Sequence, residues 1–65
     1  MERTNQEIIN LLLCNNNALE SYIIQLKNLI ENCKDERKIQ GYKSEINLIN
    51  QTIKVNNNYI NDLKY

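Results

Sequence analysis

Apolar residues return at alternating intervals of four and three along most of this chain, and that spacing constrains its fold more than any other feature. In the first half the series runs Ile8, Leu12, Asn15, Leu19, Tyr22, Leu26, Leu29 and Cys33. In the second it runs Ile39, Tyr42, Ile46, Ile49, Ile53, Asn56, Ile60 and Leu63. Such a rhythm lines one side of an α-helix as a heptad seam. It does not suit a strand, whose side chains alternate with a period of two. With Leu12, Leu19, Leu26 and Cys33 as a positions, Ile8, Asn15, Tyr22 and Leu29 fall at d. In the second half every a position is isoleucine. Each series has one polar member, Asn15 or Asn56.

The two series do not join. Cys33 to Ile39 is six residues rather than seven, and the slip falls in the polar stretch KDERKIQGYKS, which holds the only glycine, Gly41. A continuous supercoil would be disturbed there, whereas a chain reversal would not. Lys34 suits the C-terminal end of a helix, and Asp35 and Glu36 suit the N-terminal end of the next. The expected fold is therefore all-α: an antiparallel helical hairpin forming one domain, with helix 1 over about 5–33, a turn within 34–43 and helix 2 running to about 64. Two starts for helix 2 are open. A start near Asp35 leaves Gly41 inside the helix at a cost of roughly 1 kcal/mol. A start at Ser44, a plausible N-cap, makes 34–43 a loop. A single long helix is the third arrangement. At the N-terminal end, Thr4 and Glu7 have the spacing of a capping box.

Asparagine occurs in triplets at 15–17 and 56–58. Three in a row disfavour a helix by about 2 kcal/mol relative to alanine, and asparagine suits turns. The 4–3 rhythm nevertheless keeps its phase through both, from Leu12 to Leu19 and from Ile53 to Ile60, so the helices are expected to pass through them. In a hairpin folded about residue 36, Asn15 and Asn56 come to nearly the same height. A buried asparagine in such a seam lowers stability but sets register and strand number. The alternative is codon bias, which in a chain of thirteen asparagines places this residue wherever it is tolerated.

Sixty-five residues is a small chain, and below about 70–80 residues one core rarely supplies more than about 3–5 kcal/mol. The seam also leaves apolar residues unused: Ile9, Leu11, Leu13, Ile23, Ile24 and Ile30 in the first half, and Leu48, Val55 and Tyr59 in the second. Self-association is the expected remedy, as a four-helix bundle or coiled-coil dimer. The seam residues Ile8, Leu12, Asn15, Leu19, Tyr22, Leu26, Leu29, Ile46, Ile49, Ile53, Asn56, Ile60 and Leu63 would line its interior. Ile9, Leu11, Leu13, Ile23, Ile24 and Tyr59 would form a partner surface, and Tyr65 is a further aromatic candidate.

Chemistry is hard to place on this chain. There is no histidine, and the carboxylates Glu7, Glu20, Glu31 and Glu45 are dispersed without a paired arrangement. One glycine cannot make a phosphate-binding loop. Cys14 and Cys33, about 28 Å apart along a straight helix, can neither bond to each other nor complete a tetrahedral metal site. They read as reduced thiols in a reducing compartment. No catalytic residue, cofactor, metal or small-molecule substrate is expected.

Eight basic and eight acidic residues cancel, which removes the electrostatic footprint of a typical nucleic-acid or membrane-surface binder. The segment before Cys14 is too short and too interrupted for an export signal, so a cytoplasmic location is expected. The class left standing is a small protein-binding module: an adaptor, assembly factor or inhibitor of a larger protein. Phages and other viruses carry proteins of this size and composition. A second class is RNA binding by a dimeric hairpin. Here the chain is similar to ROP-type bundles in expected architecture alone, with no shared motif. Lys34, Arg37, Lys38 and Lys43 cluster near the turn, but Glu31, Asp35, Glu36 and Glu45 offset them.

Overall fold

A computed structural model describes residues 3–64; Tyr65, one candidate partner contact, lies outside them. Two helices, α1 (Asn5–Asn32) and α2 (Glu36–Lys64), run antiparallel in a hairpin 49 × 17 × 15 Å in extent. Both pass through their asparagine triplets without interruption.

The ends of α1 and the start of α2 follow from local chemistry. Thr4 is extended and its hydroxyl accepts from the Glu7 N–H at 3.2 Å, satisfying one of the unpaired donors of the first turn. The hydroxyl in turn donates to the Glu7 carboxylate at 3.3 Å. That carboxylate thus meets the cap's side chain, where a full capping box would also bring it to the cap's backbone. At the other end Cys33 leaves the helix in extended conformation, and its N–H reaches the Ile30 carbonyl at 3.3 Å. The reversal needs only residues 33–35. Asp35 then caps α2, accepting from the Arg37 N–H at 3.0 Å while its carbonyl accepts from the Ile39 N–H at 3.0 Å. Of the two starts open to α2, the one beside Asp35 is found, and Ser44 lies two turns inside the helix. Gly41 is helical, and a Cβ built there would meet nothing within 4 Å.

The interior follows the expected stripe in α2 and departs from it in α1. In α2, Ile49 and Ile60 are buried, and Ile39, Tyr42, Ile46, Ile53, Asn56 and Leu63 are half-buried. In α1 the inward residues are Ile9, Leu12, Asn16, Leu19, Ile23, Leu26 and Ile30, followed by Cys33 just past its end. Leu12, Leu19 and Leu26 hold their place, but every d position moves by one. Asn15, Tyr22 and Leu29 are exposed and Ile8 is half-buried, while Ile9 and Ile23, expected on a partner surface, are buried between the helices. The reason is an ambiguity in the residues. Ile8–Ile9, Asn15–Asn16, Tyr22–Ile23 and Leu29–Ile30 are adjacent pairs of like character, so both frames read equally well along one helix. Only packing against α2 selects between them.

The observed frame makes Ile9, Asn16, Ile23 and Ile30 the a positions of α1 and Leu12, Leu19, Leu26 and Cys33 the d positions. Asn16 is bonded to Asn56, and with that pair level, residues i and 72 − i share a layer. Ile23 is then level with Ile49, Leu26 with Ile46, Leu19 with Ile53 and Ile9 with Leu63. Each layer joins an a residue to a d residue, as antiparallel helices require. Ile23, Leu26 and Ile49 form the main apolar cluster, with Leu19, Tyr42, Ile46 and Ile53 packed against it. Leu26 is the most enclosed of these, 2% exposed.

Four asparagines divide this core from a second apolar segment around Ile9 and Ile60. Asn16, 6% exposed, donates to Asn57 at 2.9 Å. Asn56 donates to both Asn15 at 2.8 Å and Asn16 at 2.9 Å. Among the described residues no buried side-chain polar atom lacks a partner. A slip of one heptad would set Asn16 against Ile49 or Leu63, leaving a buried amide unpaired at a cost of about 1–3 kcal/mol. At the open end Asn5 donates to the Leu63 carbonyl at 3.4 Å, occupying an acceptor that the end of α2 leaves free.

Two outcomes test this description. Gly41→Ala should raise unfolding stability by roughly 0.5–1 kcal/mol, since the site is helical and open; denaturant titration followed by circular dichroism measures it. Asn16→Leu alone should destabilise by about 1–3 kcal/mol through the amides it orphans, whereas Asn16→Leu with Asn56→Leu should recover that loss and exceed the parent. Asn15→Leu, at an exposed position, should shift stability by no more than about 0.5 kcal/mol.

Candidate functional site

The same heptad frame sorts every outward residue. In antiparallel helices the g positions of both lie along one side of the seam and the e positions along the other, with c beside g and b beside e. Tyr22 at g of α1 donates to Glu45 at g of α2 at 3.0 Å, spanning the two helices on the g side. Asn16 and Asn57 make the corresponding span on the e side.

The two sides differ sharply in character. On the g/c side, α1 carries Ile8, Leu11, Asn15, Ala18, Tyr22, Gln25 and Leu29, with no charged residue among them. Opposite them α2 carries Leu48, Thr52, Val55 and Tyr59, with Lys38 and Glu45 towards its start and Asp62 near its end. On the e/b side stand Glu20, Lys27, Glu31, Lys43, Lys54 and Lys64 among asparagines and glutamine. Eight large apolar side chains are substantially exposed: Leu11, Leu13, Tyr22, Ile24, Leu29, Leu48, Val55 and Tyr59. Six of them share the g/c side, which separates this surface from scattered exposure; Leu13 and Ile24 stand on the e/b side.

The expected partner surface is therefore redistributed. Leu11 and Tyr59 belong to the g/c strip, Leu13 and Ile24 to the opposite side, and Ile9 and Ile23 to the interior. Tyr22 and Leu29, expected inside the seam, join the strip instead. Leu48 and Val55 were visible as off-seam residues, but their alignment with Leu11 and Tyr22 depends on the register of the two helices.

Among the described residues there is no cavity or cleft and no cluster of three His, Cys, Asp or Glu side chains able to hold a metal ion. Nor is any helix of the described residues long and apolar enough to cross a membrane. Cys14 is exposed, Cys33 is half-buried, and both are free thiols. Within the strip, Tyr22 is held by its neighbour Glu45. The hydrogen bond it donates to Glu45, and then the negative charge of that carboxylate, hold its hydroxyl above the ordinary tyrosine range. No family model, curated protein or solved structure matches the chain, so its surface is the guide to its role.

Because the neutral phenol is the donor, the Tyr22–Glu45 link contributes below the unfolded-state pKa of about 10 and is lost as pH rises through the higher folded-state value. Glu45→Gln should shift Tyr22 ionisation to lower pH. Ultraviolet titration, with Tyr22→Phe subtracted to isolate the residue, reads the change; an unmoved Tyr22 transition would show that the link does not form in solution.

Proposed function

We propose that this chain is a non-enzymatic protein–protein interaction module: a small, self-associating helical hairpin of coiled-coil type that acts as an adaptor, assembly factor or inhibitor of a larger protein. The observation that carries this reading is the strip of six large apolar side chains displayed outside a very small interior. Surfaces of that kind mark association sites on water-soluble proteins, and amphipathic helices meet partners through such rows of spaced anchors. The dispersed carboxylates and flat surface suit binding better than catalysis. The asparagine-rich, proline-free composition suits a cytoplasmic protein of a phage or virus.

RNA binding by a dimeric hairpin is the second reading, and the basic residues Lys34, Arg37, Lys38 and Lys43 at the turn end favour it. The acidic residues interleaved with them weaken the attraction to phosphate. Affinity capture from the native host, followed by reconstitution of the captured protein with the purified hairpin, tests the first reading. A stoichiometric complex that persists after nuclease treatment is expected. Recovery of RNA at low salt with loss at high salt, and no protein able to re-form a complex, would replace it with the second.

A further inference from the structure

Resting on the reading that the hairpin self-associates, we infer that a second copy of this chain packs on the g/c face, strip against strip, and leaves the e/b face in water. Three features of the hairpin point to that occupant and that face.

The first is area. A folded monomer of 7.7 kDa has an accessible surface of about 4300 Å² by the usual scaling with mass. The hairpin exposes 5360 Å², an excess of about 1000 Å². A standard stable interface takes about 800 Å² from each partner. The chain thus exposes surplus surface on the scale of one such contribution. Its radius of gyration, 15.1 Å, against about 10.7 Å for a compact domain of this length, expresses the same shortage of covering layers.

The second is charge. A two-fold interface sets one patch against its own copy, so any charge near the centre tends to face its like. Across its middle, from Leu11 to Gln25 in α1 and from Leu48 to Tyr59 in α2, the strip has none. Glu45 and Asp62 stand on the same side nearer its two ends, level with Lys27 and Asn10. The opposite face carries Glu20 and Lys54 at its middle and would bury them.

The third is shape. Close helix packing at about 8–10 Å between axes needs small side chains where helices cross. Ala18 and Thr52 stand near the middle of the strip, almost level in the hairpin register, with Leu11, Val55 and Tyr59 on one side and Tyr22, Leu29 and Leu48 on the other. The strip from Ile8 to Leu29 is about 32 Å long, most of the length of the hairpin, so the product is a four-helix bundle and not an end-to-end contact.

Light scattering after size exclusion tests the inference on two paired variants. The parent chain should run at twice its 7.7 kDa mass. Leu48→Glu with Val55→Glu should weaken dimerisation by about a hundred-fold or more, whereas Leu13→Glu with Ile24→Glu should change it by no more than about two-fold. Circular dichroism checks that each remains helical. Should the first variant unfold, a spin label at Thr52→Cys, in a chain with Cys14 and Cys33 replaced by alanine, supplies an independent readout. Two labels within roughly 20 Å across the dimer are expected from stacked helices, with no such coupling for a label at Asn17→Cys. A dimer broken by the Leu13 and Ile24 variant and not by the other would overturn this face while leaving self-association standing. A parent chain that stays monomeric at millimolar concentration would overturn both.

Discussion

The asparagine bridge between Asn16 and Asn56 is the constraint around which the hairpin is organised. It is the polar layer of an otherwise apolar interior, and the two asparagine runs come to one height when the helices pack antiparallel. Its members satisfy one another: Asn16 donates to Asn57, and Asn56 donates to Asn15 and Asn16. A hydrogen-bonded amide pair contributes little net stability, but a mispaired one in the same place costs substantially more. The bridge therefore acts through the alternatives it penalises. The short turn at 33–35, capped by Asp35, limits the same freedom from the other end.

With register set, the distribution of apolar side chains has a consequence for function. The interior takes one stripe from each helix and holds five buried apolar residues, Ile9, Ile23, Leu26, Ile49 and Ile60. A two-helix structure can cover no more than that, since every helix touches only one neighbour. Six of the eight large exposed apolar residues gather on the g/c side because both helices carry them there, and the antiparallel arrangement brings the two g rows together. Tyr22 marks the boundary: its ring lies in the apolar strip while its hydroxyl is held by Glu45. The interaction role proposed for the chain rests on this imbalance between one apolar and one charged side.

Much of the fold is legible in the residues. The 4–3 spacing, the Thr4 cap, the phase slip after Cys33 and the acidic residues at 35–36 lead to a hairpin with its reversal near the observed place. In helix α2 the inward stripe is the expected one, because Ile39, Tyr42, Ile46 and Ile53 have no apolar neighbour and the like neighbours Leu48, Asn57 and Tyr59 do not line up as a second stripe. In helix α1 it is not. At 8–9, 15–16, 22–23 and 29–30 two like residues compete for one inward place, and the competition turns on which of them faces α2. Misplacing that stripe by one residue put Ile9 and Ile23 on the surface and Tyr22 and Leu29 inside, and so hid the strip on the g/c side.

By itself, then, the sequence determined the element type, the break between two heptad series that favours a reversal, and the near-equal heights of the two asparagine runs in such a hairpin, while the start of α2 stayed open between Asp35 and Ser44. These are properties of local spacing, capping and composition, each decided within a turn or two of chain. The tertiary structure alone decided which of each adjacent pair in α1 faces inward, and with it the Asn16–Asn56 bridge and the single apolar side. Those depend on the rotation of one helix against another, and the free energy that sets the rotation exists only when both stripes are buried together.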